Sequence, residues 1–150
     1  MLASAVRLAR TLGRTTKPRR LLGSKYRKSQ YIEGSALPIV DDLLRNAYED
    51  TQLLIKNDHL GDVLSVPRDV EFLLLAPDEQ KAQTVCSFIR DNQYGAASVR
   101  EDEGKFSVLV VIHMPMTQNI ICSVSALMSC LAAIFGMEYD GWGSVIKSAA

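Results

Sequence analysis

The sequence has few of the residues that bind metals. It contains three cysteines and two histidines: Cys86, Cys122, Cys130, His59 and His113. No two cysteines form a Cys-x-x-Cys arrangement, and neither histidine has a partner at ligand spacing. A zinc site or a disulfide framework is therefore disfavoured, and buried free thiols are typical of a reducing compartment. We expect no metal and no cofactor.

Acidic residues are missing from the first 32 positions, which hold nine of the 17 Lys and Arg residues. Arg7, Arg10 and Arg14 fall three and four residues apart, so a helix would place them on one face. The pattern is typical of a mitochondrial transit peptide, and the arginines interrupt the apolar run that a secretory signal needs. We predict that residues 1–32 are a removable import segment for the mitochondrial matrix. The alternative is a disordered basic tail that binds nucleic acid or acidic surfaces.

From residue 33 onward the chain is acidic. This part carries eight Lys and Arg residues and all 17 Asp and Glu residues, a net charge of −9. Binding to a phosphate backbone relies on Lys and Arg residues that displace counterions. We therefore expect no direct contact between this part and RNA or DNA.

No apolar run predicts a membrane span. The uncharged stretch over residues 106–137 is interrupted by Pro115 and by the polar residues 117–119. Its helical part is short for a span and carries three serines, so we favour a buried helix.

Hydrophobic periodicity predicts seven elements. An amphipathic helix over residues 39–55 comes first, with Pro38 in its first turn. The elements that follow are strands over 70–76, 97–100, 106–114 and 137–139, and helices over 79–92 and 117–135. Asp78 is expected to cap the second helix, Gly136 to end the third, and residues 101–104 to form a hairpin turn.

This order predicts an α+β fold, a ferredoxin-like β-α-β-β-α-β sandwich with an additional N-terminal amphipathic helix. Both crossover helices would lie on one face of a four-stranded antiparallel sheet. Either Leu73, Leu75, Leu109 and Val111 or the alternate set would lie on the other face. We expect the helix over residues 39–55, or a partner protein, to cover that face. The domain organisation is then a helix over 33–57 and a domain over 58–150.

Two blocks of sequence resemble a known family. The run GDVLSVPRDVEF, from Gly61 to Phe72, resembles the G-D-x-L-x-x-P-R-x-V-x-F opening of regulator of ribonuclease E activity B domains. The run EYDGWG, from Glu138 to Gly143, matches their closing E-Y-D-G-W-G. The similarity covers about residue 57 to the C-terminus.

The resemblance implies a non-catalytic regulator that binds an endoribonuclease, or its assembly scaffold, and modulates RNA turnover through contact with protein. It singles out as family-motif or partner-binding residues Gly61, Asp62, Pro67, Arg68, Tyr139, Asp140, Gly141, Trp142 and Gly143.

Two of these motif residues have alternative interpretations. Asp140, beside Tyr139 and Trp142, could be a catalytic carboxylate in an aromatic pocket, but nothing in the pattern pairs it with a second catalytic group. We favour a tight turn at the end of the last strand with Trp142 packed as an anchor, and an aromatic pair there also suits a partner contact. Arg68 is either a functional arginine or a structural one that bonds to the closing turn and ties the two blocks together.

We therefore predict a regulatory or adaptor protein, not an enzyme, that acts in mitochondria as a monomer or homodimer on a protein of RNA processing. One alternative is a structural accessory subunit of a large mitochondrial assembly. A second is a small hydrolase or ligand-binding protein that uses the turn at residues 140–143.

Overall fold

The computed structural model describes residues 38–148, so the import segment predicted over residues 1–32 lies outside the described part, as do residues 33–37. The elements are α1 (Pro38–His59), β1 (Arg68–Ala76), α2 (Glu79–Asp91), β2 (Ala96–Asp102), β3 (Lys105–Met114), α3 (Gln118–Phe135) and β4 (Glu138–Ser144). The fold is α+β, and the predicted order of helices and strands is confirmed.

The four strands form one antiparallel sheet in the order β2-β3-β1-β4. The central strands β1 and β3 pair along their length, and Phe72 lies opposite Val110 of β3 and Trp142 of β4. Residues directly opposite each other on neighbouring strands point to the same face of the sheet, so these three residues lie on one face. We call this the inner face of the sheet.

The core lies between the inner face and two helices. Val70, Phe72 and Leu74 of β1 are fully buried and share one cluster with the apolar residues of α2 and α3. The helix residues in this cluster include Ala82, Val85, Cys86, Ile89, Ile121, Met128 and Leu131. Burial of each large aliphatic or aromatic side chain stabilises the fold by about 1.5–3 kcal/mol relative to exposure.

Local sequence rules account for several boundaries. The Asp78 carboxylate accepts a hydrogen bond of 2.7 Å from the Lys81 backbone N–H, which satisfies one free donor at the start of α2. The hairpin between β2 and β3 turns at Glu103 and Gly104, with φ of 53° and 73°. Positive φ at both positions is what a two-residue hairpin turn of type I′ requires. The turn is shorter than the predicted 101–104, because β2 continues to Asp102.

Helix α1 packs against α3. Asn46 Nδ2 donates to Ser129 Oγ at 2.7 Å, and Gln118 Nε2 donates to Thr51 Oγ1 at 3.0 Å. The expectation that α1 covers the second face of the sheet is therefore wrong. Helix α3 carries no charged residue, so its side away from the sheet also needs cover, and α1 supplies that cover.

The second face of the sheet, which we call the outer face, has no helix of residues 38–148 packed on it. Its apolar residues lie mainly on the central strands: Leu109 is buried, and Leu73, Leu75 and Val111 are half-buried.

Helix α3 is long and apolar enough to cross a membrane by length and composition. Its residues Ile121, Met128 and Leu131 belong to the core cluster. Its Ser129 accepts a hydrogen bond from Asn46 of α1. These contacts place one side of α3 in the core of the domain, and a core helix can match a membrane span in length and apolar composition.

Candidate functional site

The first sequence block forms a buried ion pair at the start of β1. Arg68 is 1% exposed and Asp62 is 4% exposed. The Arg68 guanidinium donates to Asp62 Oδ1, to the carbonyl oxygen of Val63 and, through Nε at 3.1 Å, to that of Val66. A charge held by several acceptors away from water is fixed in one orientation.

The same pair reaches the segment that follows β4. Arg68 Nη1 donates to the carbonyl oxygen of Val145 at 3.1 Å, and the Lys147 backbone N–H donates to Asp62 Oδ1 at 3.0 Å. The Val63 N–H also donates to the Lys147 carbonyl at 2.8 Å. We call this set of contacts the Arg68 clasp. The structural interpretation of Arg68 fits this geometry, although its contact lies at Val145, beyond Gly143, and not in the closing motif itself.

The second sequence block lies within a strand. The predicted strand over 137–139 with a turn after it is wrong, because β4 runs from Glu138 to Ser144. The pairing with β1 shifts register between Phe72 and Leu74, and Gly141 has a φ of +101° at this shift. The Asp-Gly pair therefore forms a β-bulge, which uses the same residue types as a tight turn.

Trp142 is directed into the domain and is 7% exposed. Its Nε1–H donates to Asp50 Oδ1 of α1 at 2.8 Å. Nearby, Ser125 Oγ of α3 donates to the Tyr139 hydroxyl at 3.1 Å. The predicted anchoring role of Trp142 agrees with this position, whereas an exposed aromatic pair for a partner is not formed. Trp142 instead joins β4 to α1.

Asp50 is the acidic member of this buried group and is 6% exposed. Its burial raises the pKa of the carboxyl above the ordinary value, while the nearby Ser125 hydroxyl and the hydrogen bond from Trp142 act in the opposite direction. Burial likewise raises the pKa of the Tyr139 hydroxyl, so that hydroxyl stays protonated. The group is a polar contact inside the fold between α1, α3 and β4.

The predicted motif residues thus fall into two places. Asp62 and Arg68 lie in the clasp, with Gly61 beside them and Pro67 exposed in the same loop. The remaining motif residues lie along β4, from Tyr139 to Gly143. The two blocks are joined through β1 and the clasp, but their side chains do not form a single exposed patch. Within residues 38–148, no group of three or more His, Cys, Asp or Glu side chains is placed to hold a metal.

The sequence interpretation missed a cavity of about 260 Å³ on the outer face, at the end of the sheet near the clasp. It is lined by Arg68, Asp69, Glu71, His113, Ser144, Val145 and Lys147. Glu71 is 7% exposed, and its Oε2 accepts no hydrogen bond from any residue that the structure describes. Desolvation raises the pKa of this carboxyl, although the charge of Arg100 partly opposes the rise.

Two exposed side chains stand at the rim of this cavity. His113 Nδ1 lies 2.8 Å from Asp69 Oδ1, and both side chains are more than half exposed. An exposed pair of this kind contributes little to stability. A sequence signal for the site did exist, because Glu71 is the one charged residue within the apolar run from Val70 to Ala76.

A family model described as regulator of ribonuclease activity B, or RraB, matches residues 48–144. The chain belongs to the RraB family. The resemblance carried by the two sequence blocks is confirmed, and the RraB match begins inside α1 and ends at the last residue of β4. No curated protein matches the chain. Membership of the RraB family supports a regulatory role exerted through contact with protein.

Proposed function

We propose that this RraB protein is a non-catalytic regulator that binds an endoribonuclease, or another protein of an RNA-processing complex, and alters RNA turnover. The observation that carries the proposal is the family match over residues 48–144. The net charge of −9 from residue 33 onward supports a protein partner, because an acidic domain repels the RNA itself.

The contacts of the motif residues also favour binding over catalysis. Arg68 forms an ion pair with Asp62 and donates hydrogen bonds to backbone carbonyl oxygens. Inside the domain, Trp142 donates a hydrogen bond to Asp50. These polar side chains are engaged in contacts inside the fold, so they are not free to act on a substrate. A regulator needs only a fixed surface, which such internal contacts provide.

We also propose a ferredoxin-like topology and a mitochondrial matrix location. The topology is supported by the strand order β2-β3-β1-β4 and by the packing of α2 and α3 in one core. The location is supported by the basic, acid-free sequence of residues 1–32.

Affinity purification of the tagged full chain from fractionated mitochondria tests location and partner together. We expect recovery from the matrix fraction with an endoribonuclease or RNA-processing protein, and altered transcript half-lives after depletion. The purified chain should change the rate at which the recovered nuclease cleaves a single-stranded RNA, and should not bind that RNA alone.

Recovery of metabolic enzymes alone, with unchanged transcript half-lives, would contradict the proposal. Co-migration with a large assembly on a native gel, again with unchanged half-lives, would favour the structural-subunit alternative. An Asp140→Asn variant that stays folded but loses a measurable hydrolase activity would favour an enzyme.

A further inference from the structure

The cavity on the outer face has a carboxylate at its base. Glu71 lies between Val111 of β3 and Gly143 of β4 in the sheet register. Glycine contributes no side chain at the position beside Glu71, and Val111 offers no hydrogen-bond donor. The neighbours in the sheet therefore leave the carboxylate without a side-chain partner.

No ion pair joins Glu71 to a Lys or Arg side chain among the described residues. Arg68 lines the cavity, but its guanidinium is held by Asp62 and by carbonyl oxygens of the clasp. Arg100 acts on Glu71 through its charge, without a hydrogen bond among the described contacts, and desolvation outweighs this effect on the pKa. A buried carboxylate oxygen without a hydrogen-bond donor is energetically unfavourable.

We propose that this cavity receives a Lys or Arg side chain of the protein partner, with its charged group bound to Glu71. The inference rests on the proposed function, because it takes the partner to be a protein, and it adds the contact that this partner makes with the domain. A cation bound in the cavity would lie against the Glu71 carboxyl group and would favour its ionised form.

The size and charge of the site suit this occupant. A cavity of about 260 Å³ is smaller than the pockets of about 300–1,000 Å³ that hold drug-sized ligands, so a single side chain is a better match. Asp69 adds negative charge at the rim, and Lys147 adds a positive charge that opposes the ligand. The acidic domain as a whole attracts a basic partner surface.

The test uses the ¹⁵N-labelled full chain and two synthetic pentapeptides, Gly-Ser-Arg-Ser-Gly and the same peptide with citrulline in place of arginine, both with blocked ends. Citrulline keeps the shape of arginine without its charge. We expect the arginine peptide to shift the amide resonances of Glu71, Val111, Gly143 and Val145 saturably. The citrulline peptide should bind about tenfold more weakly, because its uncharged ureido group can still donate a hydrogen bond to Glu71 but without the positive charge that strengthens it.

Three variants test whether the arginine peptide binds in the cavity. Glu71→Gln should weaken binding of the arginine peptide about tenfold. Glu101→Gln removes the same charge from an exposed position of β2 and should change binding less than about twofold. Lys147→Ala should strengthen binding about two- to threefold, because it removes the opposing charge at the rim.

Equal binding of the two peptides, or equal binding to the wild type and Glu71→Gln, would overturn the inference. The Glu71→Gln variant should stay folded, because the change removes a buried charge that has no partner. Retained dispersion of its amide resonances checks this. If the wild type and Glu71→Gln recover the same RNA-processing partner with equal affinity, the cavity inference fails and the proposed function stands. If the wild type recovers no such partner, the proposed function fails independently of the peptide result.

Discussion

Replacing Arg68 with methionine should destabilise the domain strongly. The change leaves Asp62, which is 4% exposed, with the Lys147 N–H as a donor but without a counter-charge. It also removes a donor from the carbonyl oxygen of Val145. Breaking one side of a buried ion pair costs about 3–5 kcal/mol, out of a total stability of about 5–15 kcal/mol for a domain.

A double-mutant cycle separates the ion pair from loss of packing. Removing both charges with Arg68→Met and Asp62→Leu leaves no unpaired buried charge, so the double variant should be more stable than the sum of the single changes predicts. We expect a coupling energy of about 2–3 kcal/mol.

The exposed pair of Arg45 and Asp42 provides the matched control. Its atoms Nη2 and Oδ1 lie 2.6 Å apart, but the side chains are 60% and 44% exposed. Arg45→Met should therefore change the free energy of unfolding by less than about 0.5 kcal/mol.

Urea denaturation is a suitable assay, because the chain has a single tryptophan, Trp142, and its ring is buried. Fluorescence of Trp142 should follow unfolding in every variant of the cycle. The role assigned to the clasp would be refuted if Arg68→Met lowered the free energy of unfolding as little as Arg45→Met does. Strictly additive free-energy changes in the double-mutant cycle would also refute it.

Three further outcomes are expected. The raised pKa of Asp50 adds stability that is fully present below its unfolded pKa of 3.8 and is lost as pH rises through the folded value. The asparagine of Asp50→Asn is neutral at every pH, so the free energy of unfolding of this variant at pH 8 should equal or exceed that of the wild type. In urea titrations, its free energy of unfolding should also change less between pH 5 and pH 8 than that of the wild type. An equal change in both proteins would contradict this. Trp142→Phe removes the donor to Asp50 and should lower the free energy of unfolding by about 1–3 kcal/mol, measured by circular dichroism, whereas no loss would mean that the hydrogen bond is dispensable. Gly141→Ala places a side chain at φ of +101° and should cost about 1–3 kcal/mol in thermal unfolding; an unchanged melting temperature would show that the bulge relaxes freely.

Features that depend on a few adjacent residues could be predicted from the sequence. Asp78 caps α2 because its carboxylate needs only the backbone three residues ahead. Gly104 forms the hairpin turn because the required backbone conformation is local. The order of helices and strands follows from hydrophobic periodicity in the same way, and the two motif blocks identify the family.

Features that depend on distant partners could not be predicted. The apolar stripe of α1 shows that one side is buried, but it does not show that α3, and not the outer face of the sheet, is the partner. The Asp140–Gly141 pair suits a turn and a bulge equally, so β4 was predicted too short. Glu71 was visible as a charge in an apolar strand, but the cavity around it requires Val145 and Lys147, which come from the far end of the domain.

The Arg68 clasp has a consequence for the order in which the domain is completed. Its contacts join positions 77 residues apart, between Arg68 and Val145, and 85 residues apart, between Asp62 and Lys147. During synthesis, Arg68 can reach Asp62 and the carbonyl oxygens of Val63 and Val66 early, but the hydrogen bonds to Val145 and from Lys147 form only after those residues have emerged. A nascent chain that stops short of Val145 would keep the Arg68–Asp62 pair without these two hydrogen bonds, so full resistance to proteolysis should require residues up to Lys147.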